Sequence, residues 1–243
     1  MTKEENCDKL SEKEGKQMEE MLSFLAELEA NNNREWYHSH VKERKEACVA
    51  FRDLVQELIF EIAKFDDRVL FHDPADLIYR IPRDMRIPNQ PSPYNPTFRA
   101  HIGPKGKQPF PVGYYICIAP NGKSFLGGGI SVSSERELTG LLREHIRFHG
   151  DELREILDAP DFRKHFALKG TALKNPPKGY DPFSPYADFL RYKCMYAEGP
   201  LSQRTLLAKR FPKRAGELFH MVKPFVDFLN DAVGDYTLPS DRG

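Results

Sequence analysis

The sequence predicts an α+β fold, in which a central, mostly antiparallel sheet is flanked by an N-terminal helical hairpin and by C-terminal helices. Three observations predict it. Apolar residues recur every three or four positions over residues 17–62, as on one face of a helix. At about residues 68–132 the chain changes to short apolar segments separated by Pro, Gly and Asn, as in strands and turns. Helical spacing returns after Ser134.

The N-terminal hairpin is predicted from two amphipathic stretches. The first begins at Gln17 and stops at Asn31–Asn33, where side chains compete for backbone hydrogen bonds and favour helix caps. The apolar positions of the second are Tyr37, Val41, Cys48, Phe51, Val55, Leu58 and Ile62. Their spacing of three, four or seven residues indicates a long helix packed on a core.

The sheet is predicted from four or five apolar segments. In chain order they are RVLFHD, DLIYRI, FRAHIG, VGYYICIAP and Phe125–Val132. Asn121-Gly122 separates the last two segments, and this dipeptide favours a tight hairpin turn. Most of the sheet is therefore expected to be antiparallel.

The C-terminal helices are predicted from caps and spacing. Ser134 and Glu137 fit a capping box, and Gly150 is a natural helix terminator. Residues 202–233 are helical in pattern, with an interruption near Pro212.

No internal repeat and no linker composition interrupts the chain. We therefore expect one α+β domain over residues 17–235, between polar tails at residues 1–16 and 236–243.

Composition and charge argue against several classes of protein. Lys plus Arg and Asp plus Glu both number 36, so no overall charge attracts the chain to nucleic acid. The four cysteines form no C-x-x-C pair, which disfavours a zinc knot or a disulfide framework. The N-terminus lacks a secretory signal, and no apolar run approaches the ~18 residues of a membrane span. A cytoplasmic protein without a membrane association is expected, and no metal or organic cofactor is indicated.

The first candidate site is the segment YRIPRDMRIPNQPSPYNPTF. It carries Arg80, Arg83, Asp84 and Arg86, followed by prolines and Tyr94. Guanidinium groups match carboxylate or phosphate, and proline lowers the entropy cost of holding a nearby side chain. We interpret the segment as a rigid rim that presents three arginines and Tyr94 to an anion, with Asp84 orienting one arginine. The alternative is an ion-pair network that only joins this segment to the helices.

Two further segments are candidates for the same site. Gly127, Gly128 and Gly129 lie inside a strand pattern, which indicates close approach either by a ligand or by another part of the backbone. Lys178 lies in the stiff turn PPKGYD and could add a cation, or it could lie on an ordinary surface loop.

The sequence signals for a metal site, for a nucleophilic serine and for a phosphate loop are weaker. His145 and His149 have the spacing of a helical metal site, but no Glu of an H-E-x-x-H motif lies between them, and a solvated helix end is the favoured interpretation. A G-x-S-x-G elbow and a phosphate-loop motif are both missing from the sequence. The sequence does not decide whether the protein is an enzyme.

The joint order of these motifs resembles the domain of unknown function 2461 family. The matching segments are Asn32–Trp36 (N-x-R-E-W), Arg80–Arg86 (R-x-x-R-D-x-R), Pro93-Tyr94, Gly113–Tyr115 (G-Y-Y), Gly127–Gly129 and Pro177–Asp181 (P-K-G-Y-D). The resemblance runs from about residue 20 to 230. It implies a single α+β domain of a mainly bacterial and fungal family, with no activity to carry over.

The chain departs from the family where the pattern continues R-D-x-R-F-S-x-D-K-x-P-Y-K. It has instead Ile87, Pro88, Gln90, Pro91 and Asn95. One carboxylate and two amines are thus missing, which implies weakened or lost function if the family uses those groups for binding or acid–base chemistry.

Three functions remain open. The best supported is a pocket for a small anionic ligand, carrying phosphate or carboxylate, behind the arginine-rich rim. The second is a protein- or nucleic-acid-binding module that uses the same rim, with Arg99, Lys105 and Lys107 as a local basic patch. Neutral overall charge counts against nucleic acid. In the third, the motifs only determine the fold. The oligomeric state is left open.

Overall fold

The computed structural model describes residues 3–87 and 89–238, with side chains from residue 14 onward. Within these residues it contains nine α-helices and a five-stranded antiparallel sheet, which confirms the predicted α+β class. The helices are α1 (Lys3–Ala30), α2 (Arg34–Ser39), α3 (Val41–Ala63), α4 (Pro74–Leu77), α5 (Arg136–Asp158), α6 (Pro160–His165), α7 (Ala187–Leu190), α8 (Gln203–Leu206) and α9 (Phe211–Val233). The strands are β1 (Phe98–Ile102), β2 (Tyr114–Ile118), β3 (Phe125–Gly129), β4 (Ala167–Lys169) and β5 (Tyr196–Pro200).

The sheet has the strand order β1-β2-β3-β5-β4. β4 and β5 pair antiparallel, with Leu168 opposite Ala197. Because both of these strands follow residue 132, the expected sheet limits of about 68–132 were too narrow.

Neither of the first two segments predicted as strands forms one. A 3-10 turn at Asp67–Val69 overlaps the start of RVLFHD, and DLIYRI begins within α4 and then continues as an extended segment with one isolated bridge, Ile78 to Ala100. The Asp73 side chain accepts a hydrogen bond from the Ala75 N–H, and Pro74 occupies the first turn. Asp-Pro therefore serves here as a helix cap and helix start rather than as a turn between strands.

The N-terminal helices pack as predicted, but the first helix is longer than expected. α1 and α3 contact each other, and the Asn33 side chain caps α2 between them by accepting from the Trp36 N–H. Residues 3–16, which we expected to be a polar tail, belong to α1.

Two details of the C-terminal helices differ from the sequence expectation. Glu135 is the N-cap of α5 and makes no side-chain capping bond, so the capping box from Ser134 does not form. α5 also continues past Gly150, with a kink at His149 (φ −123°, ψ 25°). A Cβ at Gly150 would lie 2.4 Å from the ring of Tyr186, so this glycine makes room for an aromatic ring and does not end the helix.

The chain divides into two compact units. The first comprises Met1–His101, Tyr115–Leu126 and Pro200–Glu217, and its core includes Phe51, Leu58 and Phe98. The second comprises Ile102–Tyr114, Gly127–Gly199 and Leu218–Gly243, and its core includes Tyr114, Leu142 and Phe219. Since each unit is built from three segments, no single boundary in the sequence separates them. One domain over residues 17–235 stays a prediction.

The predicted C-terminal tail falls partly outside the described residues, which end at residue 238. Tyr236, at the start of that tail, is buried in the second unit and meets the ring of Phe110 edge-on, with centroids 5.4 Å apart.

Candidate functional site

The first unit contains a groove of about 420 Å³ between α3 and residues 78–82. We call it the donor groove. Its polar lining consists of Tyr37, Cys48, Arg52, Tyr79 and Arg80. Its apolar lining includes Val49, Phe51, Ile81 and Phe98.

Residues 78–82 are held by hydrogen bonds to the chain that leads into β1. The Tyr79 N–H donates to the Arg99 carbonyl (2.9 Å), and the Ile81 carbonyl accepts from the Asn95 N–H (2.8 Å). One isolated bridge pairs Pro82 with Tyr94. These bonds place Arg80 on one wall of the donor groove.

The opposite wall is a face of α3. Cys48 and Arg52 are four residues apart and therefore neighbours on the helix surface. Arg44 lies one turn earlier, with its guanidinium 4.3 Å from the centroid of the Tyr37 ring and its Nη1 donating to the Tyr37 carbonyl (2.9 Å).

Tyr37 is fixed from its other face by Tyr94. The two rings are stacked with centroids 3.8 Å apart and planes 17° apart. Tyr94 is buried, and Asn32 holds its main chain from both sides: the Asn32 Nδ2 donates to the Tyr94 carbonyl (3.0 Å) and the Tyr94 N–H donates to the Asn32 Oδ1 (3.1 Å). The N-x-R-E-W and P-Y motifs thus meet in a contact that positions Tyr37.

All polar side chains of the donor groove are hydrogen-bond donors at neutral pH. Partial desolvation raises the pKa of Tyr37, of Tyr79 and of the Cys48 thiol, so each keeps its proton. The side chains of Arg52 and Arg80 have no carboxylate or hydrogen-bond partner within residues 14–87 and 89–238.

The rest of the predicted rim is arranged differently. Arg86 and Asp84 form a two-point ion pair, with Nε to Oδ1 at 2.9 Å and Nη2 to Oδ2 at 2.7 Å. Hydrogen bonds from Arg86 lower the pKa of Asp84. Asp84 therefore pairs with Arg86 and neutralises its charge, and its role in orienting an arginine toward a ligand stays a prediction.

Arg83 is an intermediate case between the Arg80 side chain, which is unpaired within the described residues, and the ion-paired Arg86 side chain. Its Nη1 is 3.4 Å from the Gln90 Oε1, and its Nε is buried without a hydrogen-bond partner in the described part of the chain. Of the three arginines in the predicted rim, only Arg80 lines the donor groove.

The glycine run lies in β3, within the second unit. A Cβ at Gly127 would lie 1.9 Å from the Ala197 carbonyl oxygen, and one at Gly129 would lie 2.4 Å from the Tyr196 Cα. At Gly128 it would meet Val226 Cγ2 at 2.7 Å and the Gly113 carbonyl oxygen at 2.9 Å. Close packing of protein atoms accounts for the missing side chains, and a ligand role for the three glycines stays a prediction.

Lys178 is exposed on its turn in the second unit. The turn is anchored next to it by Tyr180, whose hydroxyl donates to the Glu144 Oε1 (2.9 Å). Lys105 and Lys107 also belong to the second unit, whereas Arg99 belongs to the first and has its guanidinium 5.5 Å from the centroid of the Tyr79 ring. The roles suggested for these cations stay predictions.

Sequence reasoning missed most of the donor groove. In the sequence, Cys48 is one position of an apolar helix stripe, and no motif marks Arg52. The available signal was their position on α3, where Arg44, Cys48 and Arg52 recur every four residues.

Three other features bear on function. No group of three or more His, Cys, Asp or Glu residues could hold a metal ion in the described ranges. His145 and His149 stack with ring centroids 4.5 Å apart, and burial, followed by the nearby His149, lowers the pKa of His145. Among residues 3–87 and 89–238, no helix has both the length and the apolar character needed to cross a bilayer.

Comparison with known proteins identifies one match. The model of the family described as conserved hypothetical protein (DUF2461) matches residues 20–228, which is most of the chain. No curated protein and no solved structure shows significant similarity.

Proposed function

This chain belongs to the DUF2461 family of conserved hypothetical proteins, and from that premise we propose that it binds a small carboxylate- or phosphate-bearing ligand in the donor groove. The observation that carries the proposal is the uniform chemistry of the groove. Arg52, Arg80, Tyr37, Tyr79 and Cys48 can all donate hydrogen bonds there. A ligand that satisfies them must accept hydrogen bonds, and an anion does so most strongly.

The charge of the donor groove favours the same ligand. Arg52 and Arg80 face a partly enclosed space and have no partner elsewhere in the described residues. Hydrogen bonds to charged groups contribute roughly 1.5–3 kcal/mol each, about twice the value for neutral groups. Two free guanidinium groups thus give the groove a strong preference for a carboxylate or a phosphate.

The apolar lining indicates that the ligand has a second, apolar part. Phe51 and Phe98 are buried beneath the groove, and Val49 is 46% exposed at its surface. A volume of about 420 Å³ lies in the range of about 300–1,000 Å³ that is typical of small-molecule sites. An anion with an apolar body matches this lining better than inorganic phosphate alone.

The ionisation states favour binding over acid–base catalysis. A general base must be deprotonated near the working pH, and burial shifts the pKa of Tyr37, Tyr79 and Cys48 in the opposite direction. The groove therefore suits holding an anion or stabilising negative charge.

The test uses Cys48 as a reporter inside the groove. Cys48 is exposed while Cys117 and Cys194 are buried, so in a Cys7→Ser background alkylation by iodoacetamide reports mainly on Cys48. We expect 4-phenylbutanoate to slow this alkylation and to raise the Tm, because it combines a carboxylate with an apolar ring. Acetate and inorganic phosphate serve as comparison probes.

Arginine variants test whether the slower alkylation and the raised Tm come from binding in the donor groove. In the Arg52→Ala/Arg80→Ala variant, affinity should fall at least about 100-fold, since two charged hydrogen-bonding groups are lost. The Tm without ligand should stay within about 2 °C, because both side chains are exposed. Arg86→Ala is the matched control and should keep the affinity. Equal protection in the double variant, or no protection by any of the three probes, would overturn the proposal.

A further inference from the structure

We infer that the natural anion is the terminal carboxylate of an extended peptide, which pairs with the main chain of residues 78–81 as an added strand. The inference rests on the proposed function, because it uses the same groove and the same two arginines. To that proposal the inference adds the class of ligand, a peptide, and the way in which the protein recognises the peptide's main chain.

The first support is the position of residues 78–82 at a sheet edge. β1 is the last strand on its side of the sheet order. Residues 78–82 lie outside β1. One isolated bridge joins Ile78 to Ala100 of β1, and a second joins Pro82 to Tyr94 in the segment that precedes β1. The donor groove, with α3 as its other wall, lies along this segment. A helix and a sheet edge with a groove between them are suited to accept an extended peptide.

The second support is the hydrogen bonding of the main chain. Tyr79 and Ile81 direct their bonds to Arg99 and Asn95, as alternate residues of an extended segment do. Arg80 lies between them, and its N–H has no hydrogen-bond partner in the described residues. Its carbonyl accepts only a long bond from Arg99 Nη2, at 3.4 Å. Arg80 thus offers both main-chain groups that an added strand requires.

The third support is the placement of charge and apolar surface. The main-chain N–H and the guanidinium of Arg80 belong to one residue, and Arg52 lines the same groove, so these three donor groups can share one carboxylate. Pro82 has no N–H and would end the ladder, which limits the added strand to a few residues. The apolar wall at Val49 and Phe51 would take an alternate side chain of such a peptide.

The experiment begins with an affinity selection on the full chain. A library of acetylated pentapeptides with free carboxylates is incubated with the protein, and the Arg52→Ala/Arg80→Ala variant is the counter-selection. Arg86→Ala is carried in parallel as a matched control that keeps the groove. We expect peptides that the wild type and Arg86→Ala recover and that the double variant does not.

The tightest peptide is then compared with two modified forms by isothermal titration. Its C-terminal amide should bind at least about tenfold more weakly, because the charged bonds to Arg52 and Arg80 are lost. A form with N-methyl groups at alternate main-chain positions should also bind at least about tenfold more weakly, because strand pairing is blocked. Equal affinity of the N-methylated form would overturn strand addition, and equal affinity of the amide would overturn recognition of the terminus.

The outcome also separates the two proposals. If no peptide is enriched over the double variant while 4-phenylbutanoate still protects Cys48, the peptide inference fails and the small-anion site stands. If neither the peptides nor 4-phenylbutanoate depends on Arg52 and Arg80, both fail together.

Discussion

The glycine run of β3 and the donor groove both carry residues that suggest a ligand, but their surroundings differ. Around Gly127 and Gly129, the space that a side chain would take is already filled by the backbone at Tyr196 and Ala197. In the donor groove, Arg52 and Arg80 line about 420 Å³ that the described protein atoms leave open. In the first region protein atoms fill the space, and in the second region the described protein atoms leave the space open.

The difference shows how an unusual residue should be interpreted. A glycine in a strand is explained when a neighbouring backbone occupies the place of a side chain, because close packing alone then requires glycine at that position. A charged side chain that lines an open groove without a protein partner is not held by packing, so its hydrogen-bond donors stay available to a ligand. Changes in the first region should therefore affect stability, and changes in the second should affect binding.

The largest effect is expected for Gly127→Ala. The new Cβ would lie 1.9 Å from the Ala197 carbonyl oxygen, so β3 and β5 would have to separate. We expect a loss of roughly 3 kcal/mol or more in the free energy of unfolding, measured by urea titration. Gly140→Ala is the matched control. It lies in α5, where a new Cβ would have no atom within 4 Å apart from the adjacent backbone of its own helix, and it should stabilise the protein by about 0.5–1 kcal/mol. A Gly127→Ala protein as stable as wild type would remove the packing explanation.

A smaller effect, on both stability and ligand binding, is expected for Asn32→Ala. The change removes two hydrogen bonds to the main chain of Tyr94. It leaves the Tyr94 N–H unpaired and leaves the carbonyl with only the 3.2 Å bond from the Ser92 hydroxyl. We expect a loss of about 1–3 kcal/mol in stability and a weaker affinity for 4-phenylbutanoate, because Tyr94 positions Tyr37.

The neighbouring variant Asn31→Ala is the control for this prediction. It loses one exposed bond, from Asn31 Nδ2 to the Glu27 carbonyl, and should change stability by less than about 0.5 kcal/mol. If Asn32→Ala lowers stability but leaves affinity intact, the stack of Tyr94 on Tyr37 does not support the donor groove.

The smallest effect is expected at the Asp84–Arg86 pair, which lies at the surface. Because hydrogen bonds from Arg86 lower the pKa of Asp84 in the folded protein, the contribution of the pair is present above the ordinary carboxyl pKa and is lost as the pH falls through the lowered value. In Arg86→Ala, an NMR titration should show the pKa of Asp84 returning toward its ordinary range. An unchanged titration curve would show that Arg86 is not its partner in solution.

The sequence predicted those parts of the fold that repeat locally. Spacing along α3 and α9 is regular over many turns, so the helices were recognisable. β4 has only three residues and an exposed first and last position, so it carries no alternation that would reveal a strand. Asp73-Pro74 was misinterpreted because the same dipeptide suits a turn and a helix start.

The candidate site was harder to predict because its parts are distant in the sequence. Arg80, Arg83 and Arg86 are close along the chain, yet Arg86 is satisfied by Asp84 and only Arg80 lines the groove. The second free arginine of the groove, Arg52, lies on a helix that precedes the segment and carries no motif. Clustering along the chain predicted an arginine-rich site, and tertiary packing determines which arginines line the groove.

The position of Cys48 beside Arg52 has a practical use for ligand discovery. A thiol with a raised pKa reacts slowly with simple electrophiles. A reagent that binds next to Cys48 should therefore react with it much faster than a reagent that does not bind. Disulfide-tethered fragments ending in a carboxylate should therefore be captured selectively at this residue, which turns the search for a natural ligand into a mass-spectrometric screen.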